Sequence, residues 1–252
     1  MKKGAVLILI VFLLWGGILL LLPNGGKKPE GNTTPTVLPT SAPTEPPTFL
    51  SQIDQKTWDY YKLIAFYNEF GSASDQGVAK KWTTPISLYV GPNYTQEDLK
   101  IIQNHIAAMD AVPGVPDITL TGVQTDANLS VSFISQAEMN QMTEGNGEIA
   151  LGYTTIWWDE TGSITRGEIY IVSDEPTQLE RQHTLLEELT QAMGLLNDSI
   201  LYDDSIFYVE YKADLLSLSA LDWKLLEIHY ADVIEPGMRE EAASALYEAE
   251  HP

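Results

Sequence analysis

Cysteine is absent from all 252 positions of the sequence. Its absence excludes disulfide bonds, zinc sites built from thiolates, a cysteine nucleophile and a lipid-modified cysteine. The G-x-S-x-G, G-x-x-x-x-G-K and G-x-G-x-x-G patterns are also missing. Serine hydrolases, P-loop proteins and dinucleotide-dependent enzymes therefore have no support in the sequence.

Basic residues are scarce, with 14 Lys and Arg against 35 Asp and Glu, and the net charge is -21. A surface of this sign repels the phosphates of nucleic acids, so we expect no nucleic-acid partner. Hydrophobic residues make up 44% of the chain, which is enough for a core at this length.

An uncharged apolar run covers residues 5–22, directly after two lysines. At about 1.5 Å per residue the run spans roughly 27 Å, close to the hydrocarbon thickness of a bilayer. We predict that residues 1–22 are a cytoplasmic tip and an uncleaved transmembrane anchor, which makes this a single-pass protein of the cell membrane. A cleaved signal peptide is the alternative, and both place the remaining chain outside the cytoplasm.

Residues 23–48 are rich in Pro and Thr and contain few apolar residues, so we predict an extended linker. From residue 49 the composition becomes globular, and residues 49–252 form the predicted domain. Periodicity predicts helices over 58–70, 95–110, 137–143, 219–230 and about 238–250, with strands over 85–90, 117–121, 128–134, 149–158 and 163–173. This order favours an α+β fold with a mixed sheet packed on a central helix.

The central helix is predicted from the stretch 181–194. Leu185, Leu189 and Met193 stand four residues apart and form an apolar stripe. His183, Glu187 and Gln191 share the opposite face, with Glu188 between the two faces. A solvated surface helix would show the same pattern, but His and Glu one turn apart are also potential metal ligands.

The stretch 181–199 resembles the pattern R-x-x-L-x-E-E-L-x-Q-x-L-G-L-x-N-D-S of a bacterial domain family of unknown function. The pattern continues with S-I-F, L-x-x-D-x-x-L-L, L-Y and P-G-M, which are similar to residues 205–207, 218–226, 229–230 and 236–238. Met193 and His229 stand where the pattern has Leu. The resemblance implies a zincin-like, or metzincin-like, fold with a degenerate H-E-x-x-H helix.

On the zincin frame, Glu187 and Gln191 occupy the two His positions, Asn197 the third ligand position and Glu188 the place of the general base. The resemblance therefore implies Glu188 as catalytic residue and His183, Glu187 and Gln191 as candidate zinc ligands. A further ligand would come from Asn197, Asp198, Asp203 or Asp204. Amide groups are poor zinc ligands, so zinc is possible but not certain.

Two other interpretations remain open at this stage. Oxygen atoms of Glu187, Asp198, Asp203 and Asp204 could hold a hard cation. Alternatively the polar groups are structural, with Glu187 accepting from Arg181 and Gln191 bridging to the loop at Asn197.

We expect a non-catalytic relative of metallopeptidases that binds a peptide, an envelope polymer or a protein partner. An active zinc metallopeptidase is the alternative. By resemblance to zincins, the strand around residues 169–172 would be the sheet edge where an extended peptide docks.

Overall fold

The computed structural model describes residues 48–68, 76–143, 150–210, 212 and 215–252. The predicted anchor and nearly all of the predicted linker lie outside these residues. Within the described ranges, no helix is both long enough and apolar enough to cross a membrane.

The chain alternates between helices and strands. The helices are α1 (Gln55–Ala65), α2 (Gln96–Asp110), α3 (Gln136–Met142), α4 (Gln178–Gln191), α5 (Ala220–Tyr230) and α6 (Glu240–Glu250). The strands are β1 (Lys81–Trp82), β2 (Ile86–Val90), β3 (Ile118–Thr121), β4 (Leu129–Ile134), β5 (Gly152–Trp158) and β6 (Ser163–Val172). Short 3-10 turns cover Leu50–Gln52 and Gln124–Asp126.

The strands form one mixed sheet in the order β3-β2-β4-β6-β5, with β1 alongside the start of β6. All pairs are parallel except β5 with β6, which form the predicted hairpin around Gly162. The prediction that the strand around 169–172 is an edge is wrong, because β6 pairs with β4 on one side and β5 on the other. The edge next to the hairpin is β5.

Helix α4 lies against β5, β6 and α2. Its predicted apolar stripe is confirmed, since Leu185, Leu189 and Met193 are fully buried. Thr177 caps the helix in a capping box with Glu180. The mixed sheet on a central helix is therefore as predicted. However, the mainly parallel sheet and the β2-α2-β3 unit make this a mixed α/β fold, whereas the sequence predicted the α+β class.

The two faces of the sheet differ because side chains alternate along each strand. Residues that point toward α2 and α4 are buried in the core, among them Leu88 of β2, Val131 of β4 and Ile169 of β6. Their neighbours point the other way and are exposed or half-buried, as the alternating burial of β4 shows.

The C-terminal half packs on α1 and on the start of the domain. Helix α5 contacts α1, and α6 contacts the turn Leu50–Gln52. The Tyr247 ring of α6 stacks on Trp58 at 4.6 Å between centroids, and its hydroxyl donates to the Ile53 carbonyl at 3.0 Å. Both ends of the globular domain are thus fixed to one another.

Candidate functional site

Helix α4 ends at a glycine that no other residue could replace without displacing the backbone. Gly194 has a φ of 104°, and a Cβ at this position would collide with the carbonyl oxygen of Lys80. The left-handed residue turns the chain into the loop 195–209, which returns beside the polar side chains of the helix. The fold therefore requires a glycine at position 194, after the helix.

Glu188 is buried at the contact between α4 and the edge strand. Its side chain is 6% exposed, and Oε1 lies where a Cβ on Gly152 would be. Oε2 is buried and has no hydrogen-bond partner among the described residues. Desolvation raises the pKa of Glu188 to about 8, the nearby charge of Asp198 adds to the rise, and a hydrogen bond from Thr154 opposes it. Burial therefore favours the protonated form of the Glu188 carboxyl group.

Gln191 lies one turn after Glu187 and faces the returning loop. Its side-chain amide donates to Asp198 Oδ1 at 2.9 Å. The expected bridge from Gln191 to the loop is therefore present, but it reaches Asp198 instead of Asn197. Asn197 donates from Nδ2 to the carbonyl of Leu63 at 3.0 Å and holds the loop on α1.

His183 and Glu187 lie together on the same face of α4. His183 is 2% exposed, its Nδ1 is 2.9 Å from the carbonyl oxygen of Leu215, and its Nε2 is 3.7 Å from Glu187 Oε2. Because a carbonyl oxygen only accepts, Nδ1 carries a proton. Nε2 then faces the Glu187 carboxylate. In a protonated imidazole, Nε2 donates to this carboxylate in an ion pair. In a neutral imidazole, Nε2 is an acceptor that can bind a cation.

The expected contact between Arg181 and Glu187 is replaced by another. Arg181 lies 3.4 Å from Asp98 at the start of α2 and donates to the carbonyl of Ser173 at 2.8 Å. The arginine thus joins α4 to α2 and to the end of β6, away from the candidate site.

The remaining candidate ligands point away from the helix. Asp203 pairs with Lys212 at 2.6 Å, and its side chain is 72% exposed. Asp204 is exposed. Within the residues that the structure describes, no group of three or more His, Asp or Glu side chains is arranged to hold a metal ion. The structure therefore joins Gln191 with Asp198 and His183 with Glu187.

A buried polar network beside this site was not predicted. Tyr60 donates to Ser205 Oγ at 2.9 Å, and Ser205 donates to Asp222 Oδ1 at 2.5 Å. The other oxygen of Asp222 accepts from the backbone amides of Ile206 and Ser219. The Ser219-x-x-Asp222 spacing is a capping-box pattern, and this was the available signal in the sequence.

Comparison with known proteins identifies the family but no activity. No curated protein matches the chain. Among solved structures, one described as "Structure of Myroilysin" matches with a TM-score of 0.38 at 13% identity, covering 61% of this chain and 83% of that chain. A likeness at this level carries no conclusion about the site. The family described as "Protein of unknown function (DUF2927)" matches residues 54–249, and the chain therefore belongs to that family.

Proposed function

We propose that this protein is a non-catalytic binding domain with a degenerate zincin-like fold, held outside the cell membrane by the apolar run at residues 5–22. Its ligand is an extended peptide that pairs with the edge strand β5. The observation that carries this proposal is the position of β5, which pairs with β6 on one side and with no other strand of the described residues. An edge strand with open backbone groups is a template for strand addition.

The backbone groups available to such a peptide follow from the hydrogen-bond pattern of the hairpin. The amide of Val172 donates to the carbonyl of Leu151 at 2.8 Å, so these opposite residues form a hydrogen-bonded pair. Pairs alternate along an antiparallel ladder. The amide and carbonyl groups of Gly152, Thr154 and Ile156 therefore point away from β6, toward the docking edge.

Binding without catalysis agrees with how the polar groups of α4 are used. Gln191, which occupies the second His position of the zincin frame, donates its side-chain amide to Asp198. This side chain is therefore already engaged in a hydrogen bond. Burial raises the pKa of Glu188, which disfavours the ionised form that a general base needs.

A proline substitution tests the docking edge. Thr154→Pro removes an amide that faces the docking edge and leaves the pairing with β6 intact, because proline is tolerated at such edge positions. Thr154→Val is the matched control, since it removes the same hydroxyl and keeps the amide. The full chain, purified in mild detergent, is used to select binders from a phage-displayed pool of random peptides, and affinities are measured by fluorescence polarisation.

We expect selected peptides to bind wild type and Thr154→Val alike and to lose at least about tenfold in affinity for Thr154→Pro. A selection that enriches no peptide, or peptides that bind all three proteins equally, would contradict strand addition at β5.

An active zinc metallopeptidase is the second candidate, and the His183–Glu187 pair is the observation that favours it. An imidazole whose Nδ1 donates to a carbonyl, with Nε2 close to a carboxylate, is an arrangement typical of zinc ligands. These two groups fit zinc, but Gln191 does not join them, so the described donors fit the metal only in part.

Elemental analysis of the full chain separates the two candidates. The binding proposal predicts no zinc in the wild type after dialysis without chelator, and intact peptides when the same pool is incubated with the protein and analysed by mass spectrometry. Stoichiometric zinc that is lost in Glu187→Ala, together with cleavage that is lost in Glu188→Gln, would instead establish the peptidase.

A further inference from the structure

The sheet face that points away from α2 and α4 carries a regular lattice of polar and aromatic side chains. Because directly paired residues share a face, the strand registers place these side chains side by side. We call this surface the open face; it consists of Thr119 and Thr121 of β3, Ser87 and Tyr89 of β2, Ser130 and Ser132 of β4, Arg166, Glu168 and Tyr170 of β6, and Tyr153, Thr155 and Trp157 of β5.

One row of the open face crosses five of the six strands without interruption. Thr121 pairs with Tyr89, Tyr89 with Ser130, Ser130 with Glu168 and Glu168 with Thr155. Every residue of this row is half-buried and reaches the surface. The row is therefore a continuous strip on which an extended chain can lie across the strands.

The open face is electrically balanced, although the chain as a whole carries a net charge of -21. Its charged residues, Arg166 and Glu168, have opposite signs and form an ion pair. The guanidinium group also lies over the Trp157 ring at 4.7 Å, and Tyr170 donates to Glu168 at 2.8 Å. A neutral ligand meets no net charge here, whereas an anionic ligand would be repelled by the acidic remainder of the protein.

The remaining side chains of the open face bear hydroxyl groups or aromatic rings. A hydroxyl group both donates and accepts hydrogen bonds, and Tyr and Trp add a rigid apolar surface with a polar tip. This combination offers broad contact at a small loss of side-chain entropy. A sugar ring presents hydroxyl groups beside apolar C–H surfaces. These groups complement the hydroxyl and aromatic side chains of the open face.

The size of the open face favours a chain-like ligand over a folded protein. Five strands about 4.8 Å apart and four steps of about 3.3 Å along β6 define roughly 19 by 13 Å, or about 250 Å². A stable protein interface needs about 800 Å² from each partner. The open face is too small for a second copy of the chain to form a stable dimer on it alone.

We propose that the open face binds a neutral polysaccharide, which lies across the strands. This site is separate from the backbone edge of β5 and does not depend on peptide binding there.

Native electrophoresis of the full chain through gels that contain a polysaccharide tests this proposal. Hydroxyethylcellulose is the neutral probe, with dextran and pullulan as further neutral probes, and carboxymethylcellulose is the anionic counterpart of the first. The double variant Tyr89→Ala/Trp157→Ala removes two aromatic surfaces, and Ser130→Asp places a charge in the centre of the row. Tyr67→Ala is the matched control, since Tyr67 is an exposed aromatic residue that bonds to Glu240 of α6, away from the sheet.

We expect at least one neutral probe to retard the wild type and Tyr67→Ala, with at least about tenfold weaker binding by the double variant and by Ser130→Asp. Thr154→Pro should bind polysaccharide like the wild type, which distinguishes this site from the peptide edge. Circular dichroism shows whether each variant is folded, and Ser130→Asp serves as the decisive variant if the double variant is not.

Three results would overturn the proposal: no retardation by any neutral probe, equal retardation of Ser130→Asp and wild type, or equal retardation by carboxymethylcellulose. In each case the open face would not be a site for neutral polysaccharide.

Discussion

Two buried carboxyl groups, Asp222 and Glu188, lie in polar regions on either side of the loop 195–209, and they differ in how they are satisfied. Asp222 is fully buried and accepts hydrogen bonds from Ser205, Ile206 and Ser219. Glu188 is 6% exposed, and one of its oxygen atoms has no partner among the described residues. Burial raises the pKa of both groups, but hydrogen bonds oppose the rise much more fully at Asp222.

The difference separates a carboxyl group whose acceptor capacity is used within the fold from one whose capacity is only partly used. Asp222 joins α5 to the loop through Ser205 and Ile206, and it caps α5 through Ser219. Its hydrogen bonds are therefore all made within the fold. Glu188 packs against Gly152 of the edge strand and keeps one buried oxygen atom without a partner among the described residues.

Replacement of Asp222 should have the largest effect on stability. Asp222→Ala leaves the Ser205 hydroxyl and the amides of Ile206 and Ser219 buried without an acceptor, and it removes the capping box of α5. We expect a loss of roughly 4 kcal/mol or more in the free energy of unfolding, measured by urea denaturation of the full chain.

Glu138 provides the control, because it occupies the same capping-box position in α3 but is fully exposed. Glu138→Ala should cost clearly less than Asp222→Ala. Equal losses from the two substitutions would mean that the burial of Asp222 contributes nothing.

The pH dependence of stability should reveal Glu188. Its pKa in the fold, about 8, lies above the ordinary value of 4.5, so the fold favours the protonated form. This contribution is fully present below about pH 4.5 and is lost as the pH rises through 8. Between pH 5 and 9 the wild type should lose roughly 4 kcal/mol relative to Glu188→Gln, whose amide does not titrate.

Urea denaturation at pH 5, 7 and 9 measures this difference. Glu175 is exposed, so Glu175→Gln should show the same change of unfolding free energy with pH as the wild type. Parallel pH profiles for the wild type and Glu188→Gln would show that Glu188 is ionised in the folded protein throughout this range.

The contact between Glu188 and the edge strand gives a smaller effect. Gly152→Ala places a Cβ against Glu188 Oε1 and Thr184 Cγ2, and we expect a loss of about 1–2 kcal/mol from overpacking. In the Glu188→Ala background the same change should cost less, because the side chain that it displaces is gone. Additive losses in this double-mutant cycle would show that the two residues are not coupled.

Local patterns in the sequence predicted much of the fold. Thr95 and Ser219 begin helices as capping residues, and the turn around Gly162 joins a hairpin, because these features depend on neighbours within a few residues. The edge assignment failed because strand order depends on contacts between β6 and β4, which lie far apart in the sequence. Periodicity indicates that a strand exists, not which strands flank it.

The candidate site was predicted less completely, for a related reason. Spacing along α4 placed His183, Glu187 and Gln191 on one face, and the structure keeps them there. The spacing carried no information on partners from other elements, such as Asp198 for Gln191 or Leu215 for His183. The Tyr60–Ser205–Asp222 network joins residues that lie far apart in the sequence. Only the capping box of Ser219 and Asp222 is visible as a local sequence pattern.

The stack of Tyr247 on Trp58 has a mechanical consequence. If the chain is tethered through the segment before residue 48, a pull on that tether reaches the domain beside Ile53, where the hydroxyl of Tyr247 is bonded. The load then acts on α1, which follows along the chain, and on the contact of α6 with the turn Leu50–Gln52. The contacts of Tyr247 therefore lie between such a tether and the sheet that carries the open face and the docking edge.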